Sequence, residues 1–176
     1  MMVEPLRPGD LAEAEGIYLE AFPEWERTGF GKLLDYLERG DAELLGLYDG
    51  SLKGMAYTIF DDGILFILYL AVSWRERGKG LGTEALESVI SRYPGRVAFL
   101  NVEPPDAGSA NLEQREARMR FYTRAGFAVA GRLVEDDGDF LTLCRGGRLS
   151  PEDFDSFHER HDFSLLFDGS ARLVPR

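Results

Sequence analysis

The chain has 176 residues, 44% hydrophobic and 29% charged, enough for a soluble globular domain with a real core. Its formal net charge of −11 opposes non-specific nucleic-acid binding, which needs basic surface, and favours attraction of cations such as amines. One cysteine, Cys144, excludes a disulfide framework or a cysteine metal cage; no apolar run is long enough for a membrane span, and the first residues lack a secretory layout. The expectation is a cytoplasmic protein with neither a nucleic-acid nor a membrane partner.

Residues 3–7 read as an opening strand stopped by Pro8, Gly9 and Asp10, with Asp10 placed to cap the next helix. There Leu11, Ala14, Tyr18, Ala21 and Phe22 fall near one face. A second helix over residues 31–39 turns Leu33, Leu34 and Leu37 inward, and the aromatic, acidic stretch FPEWER joins the two. The period then changes. Residues 42–48, 52–60 and 64–72 read as strands joined by Asp-Gly turns, and the third, apolar on both faces, reads as central.

The stretch WRERGKGLGT, from Trp74, opens a helix running to about Ser91, with Leu81, Ala85, Leu86, Val89 and Ile90 as its buried stripe. Residues 96–102 form a strand and 103–111 a loop. Residues 113–125 form a helix stopped by Gly126, with Ala117, Phe121 and Ala125 inward and Tyr122 beside them. Residues 127–135 and 140–144 make a hairpin around Asp136, Asp137 and Gly138. The tail, 150–167, starts with Ser-Pro-Glu-Asp, a good helix start. The final Leu-Val-Pro-Arg looks like half of a protease site, so residues 169–176 are set aside as linker and tag remnant. The order β-α-α-β-β-β-α-β-α-β-β describes a mixed α/β (α+β) domain around one twisted sheet, not a doubly wound Rossmann sheet.

Gly78, Gly80 and Gly82 stand where a strand becomes a helix, although glycine costs about 1 kcal/mol in a helix interior. Helix N-termini carry unpaired N–H groups and positive potential, and glycine lets a phosphate reach them. With Arg77 and Lys79 alongside, the segment reads as an anion cradle for a pyrophosphate. It is not a P-loop, since no Gly-x-x-x-x-Gly-Lys-[Ser/Thr] can be written here. Nor is it the dinucleotide fingerprint, which would need a small residue at Thr83 and a βαβ setting.

Leu70-Ala-Val-Ser-Trp-Arg75-x-x-Gly78-x-Gly80-x-Gly82 resembles the acetyl-CoA motif of the GNAT superfamily of N-acetyltransferases, and Arg118-Met-Arg-Phe-Tyr122-Thr-Arg-Ala-Gly126-Phe127 resembles its second, helix-then-strand motif. The resemblance covers roughly residues 3–144. One departure is Arg115, where many members carry Asn seven positions before the tyrosine. The resemblance implies a mostly antiparallel sheet of about six to seven strands, helices on both faces, and central strands splayed to hold coenzyme A. It implies that backbone groups of Leu70, Ala71 and Val72 bond the pantetheine arm. Arg77, Gly78, Lys79, Gly80, Gly82 and Thr83 would meet the pyrophosphate, the Val72 N–H the oxyanion, and Tyr122 would act as general acid. Glu103, at the end of the strand before the loop, is the first candidate for general base, with Glu24 and Glu26 as alternatives.

The expected function is transfer of an acetyl group from acetyl-CoA, the cosubstrate, to a primary amine of a small molecule in a ternary complex, with no metal. The alternatives are a protein N-terminal or lysine acetyltransferase, a non-catalytic acyl-CoA sensor, and a nucleotide-binding domain. His158 and His161, spaced i, i+3, lack a third metal ligand. Cys144 reads as a buried thiol, and Asp136, Asp137 and Asp139 as a hairpin tip. Residues 1–147 read as the acetyltransferase domain and 148–168 as an extension packed on it, which leaves a homodimer contact open.

Overall fold

Side chains and tight turns set the strand connections. Asp61 folds back so that its Oδ1 accepts from Gly63 N at 2.9 Å and Ile64 N at 2.8 Å, which closes the turn between two strands. The computed structural model describes residues 1–135 and 138–175. These fall into two compact units, Met1–Pro94 and Gly95–Arg176.

In the first unit β1 (Met2–Pro5), β2 (Ala42–Asp49), β3 (Ser51–Phe60) and β4 (Ile64–Val72) pair antiparallel in that order. Residues Met55 to Ile59 are buried without a break, so β3 is covered on both faces. Helix α1 (Leu11–Ala21) packs on β3 and β4 through Ala14, Ile17 and Tyr18, spaced i, i+3, i+4. Leu11, expected inside, is 37% exposed, and Ile17 takes the core position instead. Asp10 is the N-cap residue, yet its side chain makes no capping bond; it accepts from the Tyr48 hydroxyl at 2.9 Å. A tertiary partner thus outcompetes the local one. Helix α2 (Phe30–Tyr36) buries Phe30, Leu33 and Tyr36 and ends in a 3₁₀ turn, Leu37–Arg39. Helix α3 (Leu81–Ser91) buries Ala85, Leu86 and Val89 and contacts β4 and β1.

In the second unit β5 (Val97–Val102), β7 (Gly138–Arg145), β6 (Ala128–Glu135) and β8 (Ala171–Pro175) pair antiparallel in that order. The described residues therefore hold eight strands of a mixed α/β protein, one or two more than expected. The addition is β8, drawn from residues set aside in the sequence as a tag remnant. It pairs with β6 from Gly131↔Pro175 to Glu135↔Ala171 and buries Leu173, which is 3% exposed. A Cβ at Gly131 would lie 2.4 Å from Val174 O, so that glycine admits the strand. Asp136 and Asp137 of the expected hairpin tip lie outside the described residues.

Helix α4 (Leu112–Arg124) precedes β6 and contacts β5. Its inward face is broader than the expected one. Ala117 is exposed, but Phe121 and Ala125 are half-buried as expected, together with Leu112, Arg115, Arg118, Met119 and Tyr122. The spacing of 3, 3, 1 and 3 from Leu112 to Tyr122 is a single helical face on which two arginines stand.

Helix α5 (Pro151–His161) starts as its sequence foretells. Ser150 Oγ accepts from Asp153 N at 3.1 Å, and Asp153 Oδ2 accepts from Ser150 N at 3.0 Å, a complete capping box. Phe154 and Phe157 stack edge-on against Phe99 of β5. The His158 ring lies 4.0 Å from that of Phe154 and 4.3 Å from that of Phe163, and its Nε2 is buried with no hydrogen-bond partner. Burial, with the neighbouring His161, holds the His158 pKa down to about 4.

The folded state therefore disfavours the imidazolium that the unfolded chain accepts near pH 6.5. Stability present above about pH 6.5 should fall as pH drops and level off below about 4, with a loss of at most about 3 kcal/mol from this group. Urea melts between pH 7 and 4 measure the slope. His158→Phe should flatten it, and an unchanged slope would remove His158 as its source.

Candidate active site

In the first unit β4 ends in a constructed turn. The register of β3 against β4 shifts between Tyr57 and Thr58, which leaves Leu68 as the extra residue of a bulge in β4. Beyond it Ala71 is buried while Leu70 and Val72 are half-buried, so alternation persists to the strand end. Gly54 faces Val72, and a Cβ there would sit 2.3 Å from Ala71 O; only glycine lets β3 come this close. Ser73 N donates to Lys53 O at 2.8 Å and Arg77 Nε to Val72 O at 3.5 Å.

The chain then passes through a 3₁₀ turn, Trp74–Glu76, into Gly78 at φ 77° and Gly80 at φ 79°. A Cβ at either would meet no atom of the described residues within 4 Å, so crowding around the Cβ is not what selects glycine. The left-handed backbone is, since an L side chain there costs about 1–2 kcal/mol. The space a Cβ would fill is open to a ligand. Among the described residues, the N–H groups of Gly78, Lys79 and Gly80 donate to no backbone acceptor, and no side chain caps α3 at Gly80. The first-turn N–H groups of Leu81, Gly82 and Thr83 extend this run, and residues 77–80 are exposed.

Charge is arranged around the turn. Glu76 accepts from Lys79 Nζ at 2.8 Å and Lys53 Nζ at 3.2 Å, and these bonds hold its carboxyl below the usual carboxylate range. Lys53 carried no sequence signal, because only the pairing of β3 with β4 brings it here. The arrangement suits a diphosphate: amides without a backbone acceptor, a positive helix end, and ammonium groups paired with a carboxylate.

Glu24 and Glu26 flank Trp25 on a 3₁₀ turn without buried residues, and Trp25 is 64% exposed. Tyr69 of β4 ties this connection down. Its hydroxyl donates to Glu26 O at 3.0 Å and accepts from Thr28 N at 3.0 Å, while the Tyr18 hydroxyl donates to Thr28 O at 2.8 Å. A tyrosine within the aliphatic run ILFILYLAV was the available hint.

In the second unit Tyr122 is half-buried on α4, its ring edge-on to Phe121 at 5.0 Å and Phe127 at 5.7 Å. Burial pushes its phenol up, and the charge of Arg118 pulls it part of the way back. Glu103, one residue past β5, is 6% exposed. Its Oε1 accepts from Arg115 Nη2 at 2.5 Å, and its Oε2 lies 3.9 Å from Arg118 Nη1. Arg115 also donates to Asn111 Oδ1 at 2.8 Å and Pro104 O at 3.2 Å, clamping both ends of loop 103–111 to the helix. Arg115 and Arg118 as partners of Glu103 were missed in the sequence, though their spacing from Tyr122 would have placed them on its face. Among the described residues, no group of three His, Cys, Asp or Glu side chains is placed to hold a metal ion, and no helix is long and apolar enough to cross a membrane. Cys144, expected to be buried, is partly exposed and donates to Gly147 O at 3.5 Å.

The family model for the acetyltransferase (GNAT) family matches residues 11–127. No curated protein matches the sequence. A protein of Bacteroides thetaiotaomicron assigned to the GNAT family superposes with a TM-score of 0.74 at 22% identity, covering 96% of this chain and 100% of its own. An aminoglycoside 6'-N-acetyltransferase complexed with coenzyme A gives 0.66 at 14% identity, covering 82% and 96%. Arabidopsis thaliana Naa50, in complex with the bisubstrate analogue CoA-Ac-MVNAL, gives 0.60 at 18% identity, covering 82% and 97%. With a family model spanning the chain from α1 through the glycine turn and α4 to Phe127, this protein belongs to the acetyltransferase (GNAT) family and is an N-acetyltransferase.

Proposed function

We propose that the enzyme uses acetyl-CoA as donor and moves its acetyl group to a primary amine of a small molecule, by direct attack in a ternary complex. The observation that carries the donor is the glycine turn: amides without a backbone acceptor among the described residues, at two left-handed glycines with open space where a Cβ would stand. Two proteins of similar fold carry coenzyme A or a CoA-containing analogue in their structures, which supports the same donor here.

In this reading the N–H groups of Gly78, Lys79, Gly80, Gly82 and Thr83 and the side chains of Arg77 and Lys79 take the diphosphate. Backbone groups of Leu70, Ala71 and Val72 hold the pantetheine arm as a further strand would. The Val72 N–H meets the developing oxyanion, a contact worth about 2.7–4 kcal/mol in other acyl transfers. Tyr122 gives its proton to the sulfur that leaves and later regains one from water. A phenol is a weaker acid than a thiol, so the transfer is uphill unless the environment helps. Glu103 is occupied by two guanidinium groups, so the amine's proton is left to Glu24 or Glu26, directly or through water. Those carboxylates beside exposed Trp25, on a chain of net charge −11, also suit a cationic acceptor. A protein amino terminus or lysine is the second reading, supported by the peptide-bearing analogue bound to the Arabidopsis protein of similar fold.

A thiol-release assay across polyamines, aminoglycosides, amino-acid derivatives and basic peptides reads the acceptor directly. Turnover on peptides alone would replace the small-molecule assignment with the second reading. Tyr122→Phe should lower kcat about 100-fold and leave acetyl-CoA affinity within about twofold; full turnover would remove Tyr122 from the chemistry. For the cradle, calorimetry should show pantetheine, which lacks the diphosphate, binding at least about tenfold more weakly than coenzyme A. Gly80→Ala should lose a similar factor for coenzyme A through its strained backbone. Equal affinities in both comparisons would mean that the diphosphate does not sit on this turn.

A further inference from the structure

We infer that Glu103 and Arg118 are positioning residues for Tyr122: the carboxylate after β5 holds the Arg118 guanidinium, and that charge, one helical turn before the tyrosine, makes its hydroxyl a better proton donor. The inference rests on the reading of Tyr122 as the acid.

Three observations support it. First, Arg115, Arg118 and Tyr122 share the half-buried face of α4, spaced i, i+3 and i+7. Second, the carboxylate is divided between unequal partners. Arg115 lies 2.5 Å from Glu103 Oε1 and spends its other donors on Asn111 Oδ1 and Pro104 O, so its charge is largely spoken for. Arg118 is only 3.9 Å from Oε2, with 36% of its side chain exposed. One carboxylate against two guanidinium groups leaves net positive charge on this face, centred on Arg118. Third, Phe121 and Phe127 wall the phenol with apolar surface, where a nearby charge is screened less than in water. Arg124, in the last turn of α4, and Arg145, at the end of β7 beside Gly126, are further cations near the helix end. Both carboxylate oxygens of Glu103 face guanidinium groups, which places it to hold Arg118.

The test reads the phenol itself. With 3,5-difluorotyrosine at position 122, the ¹⁹F resonance reports its titration without a substrate. Arg118→Gln should raise the midpoint by about half a pH unit or more, Glu103→Gln, which releases Arg118, should raise it by a smaller amount, and Arg118→Lys should keep it near its original value. A role confined to packing would change the melting temperature and leave the midpoint in place. Midpoints that do not move, or that fall in either variant, would overturn the inference. If Glu103→Gln does not fold, the Gln and Lys variants of Arg118 decide alone. Failure is separable from that of the underlying reading: a fully active Tyr122→Phe enzyme removes the acid itself, whereas a slow one with unmoved midpoints removes only Arg118 and Glu103.

Discussion

Backbone amides with no backbone acceptor among the described residues are the constraint around which the first unit is built. They lie where β4 gives way to α3, at Gly78 and Gly80 in left-handed conformations and at Lys79 between them. A turn of this kind binds an anion well only if it is ordered beforehand, since ordering it at the moment of binding would consume affinity. The order comes from β3. Gly54 lets β3 lie against the end of β4, Lys53 O takes the Ser73 amide, and the Lys53 ammonium reaches Glu76, which also holds Lys79. The same carboxylate that steadies the cationic side chains thereby sets them beside the amides.

The connection between α1 and α2 depends on a second anchoring. Tyr69 directly follows the bulge residue Leu68, and its hydroxyl serves both Glu26 O and Thr28 N. The rings of Tyr18 and Phe22 meet that of Tyr69 at 4.9 Å, so the polar tie is enclosed by aromatic surface. The backbone around Glu24–Glu26 is held from within, while Trp25 stays outside at 64% exposure. A fixed backbone with an exposed aromatic and flanking acids is a surface able to receive a cation without first being ordered.

In the second unit the corresponding anchor is electrostatic. Removing one member of a buried ion pair typically costs several kcal/mol, because the partner is left uncompensated. Glu103, 6% exposed, is therefore bound to the presence of Arg115, and through it loop 103–111 is bound to α4. That clamp holds the helix that presents Tyr122, and it explains how a helix with arginines on its inner face packs at all.

The motifs and most strands were legible in the residue string, because period-2 alternation, Asp-Gly turns, the Ser150 box and a glycine run between strand and helix are local signals. What failed were inferences that needed a partner distant in sequence. Asp10 has the chemistry of a cap but finds Tyr48; Ala117 has the hydropathy of a core residue but stands outside while Arg115 and Arg118 turn inward. Residues 171–175 look like an appendage but pair with β6 beside Gly131.

By itself, then, the sequence determined the order of the elements as far as α5, the glycine-rich turn that opens α3, and the presence of a tyrosine at a motif position, all properties legible within a few residues. Only the tertiary structure decided that Lys53 belongs to the turn, that Tyr69 holds the acidic connection, and that Glu103 answers to two arginines. Those outcomes depend on which strand lies beside which and on how far two side chains can reach across the gap, and neither is written in any short stretch of chain.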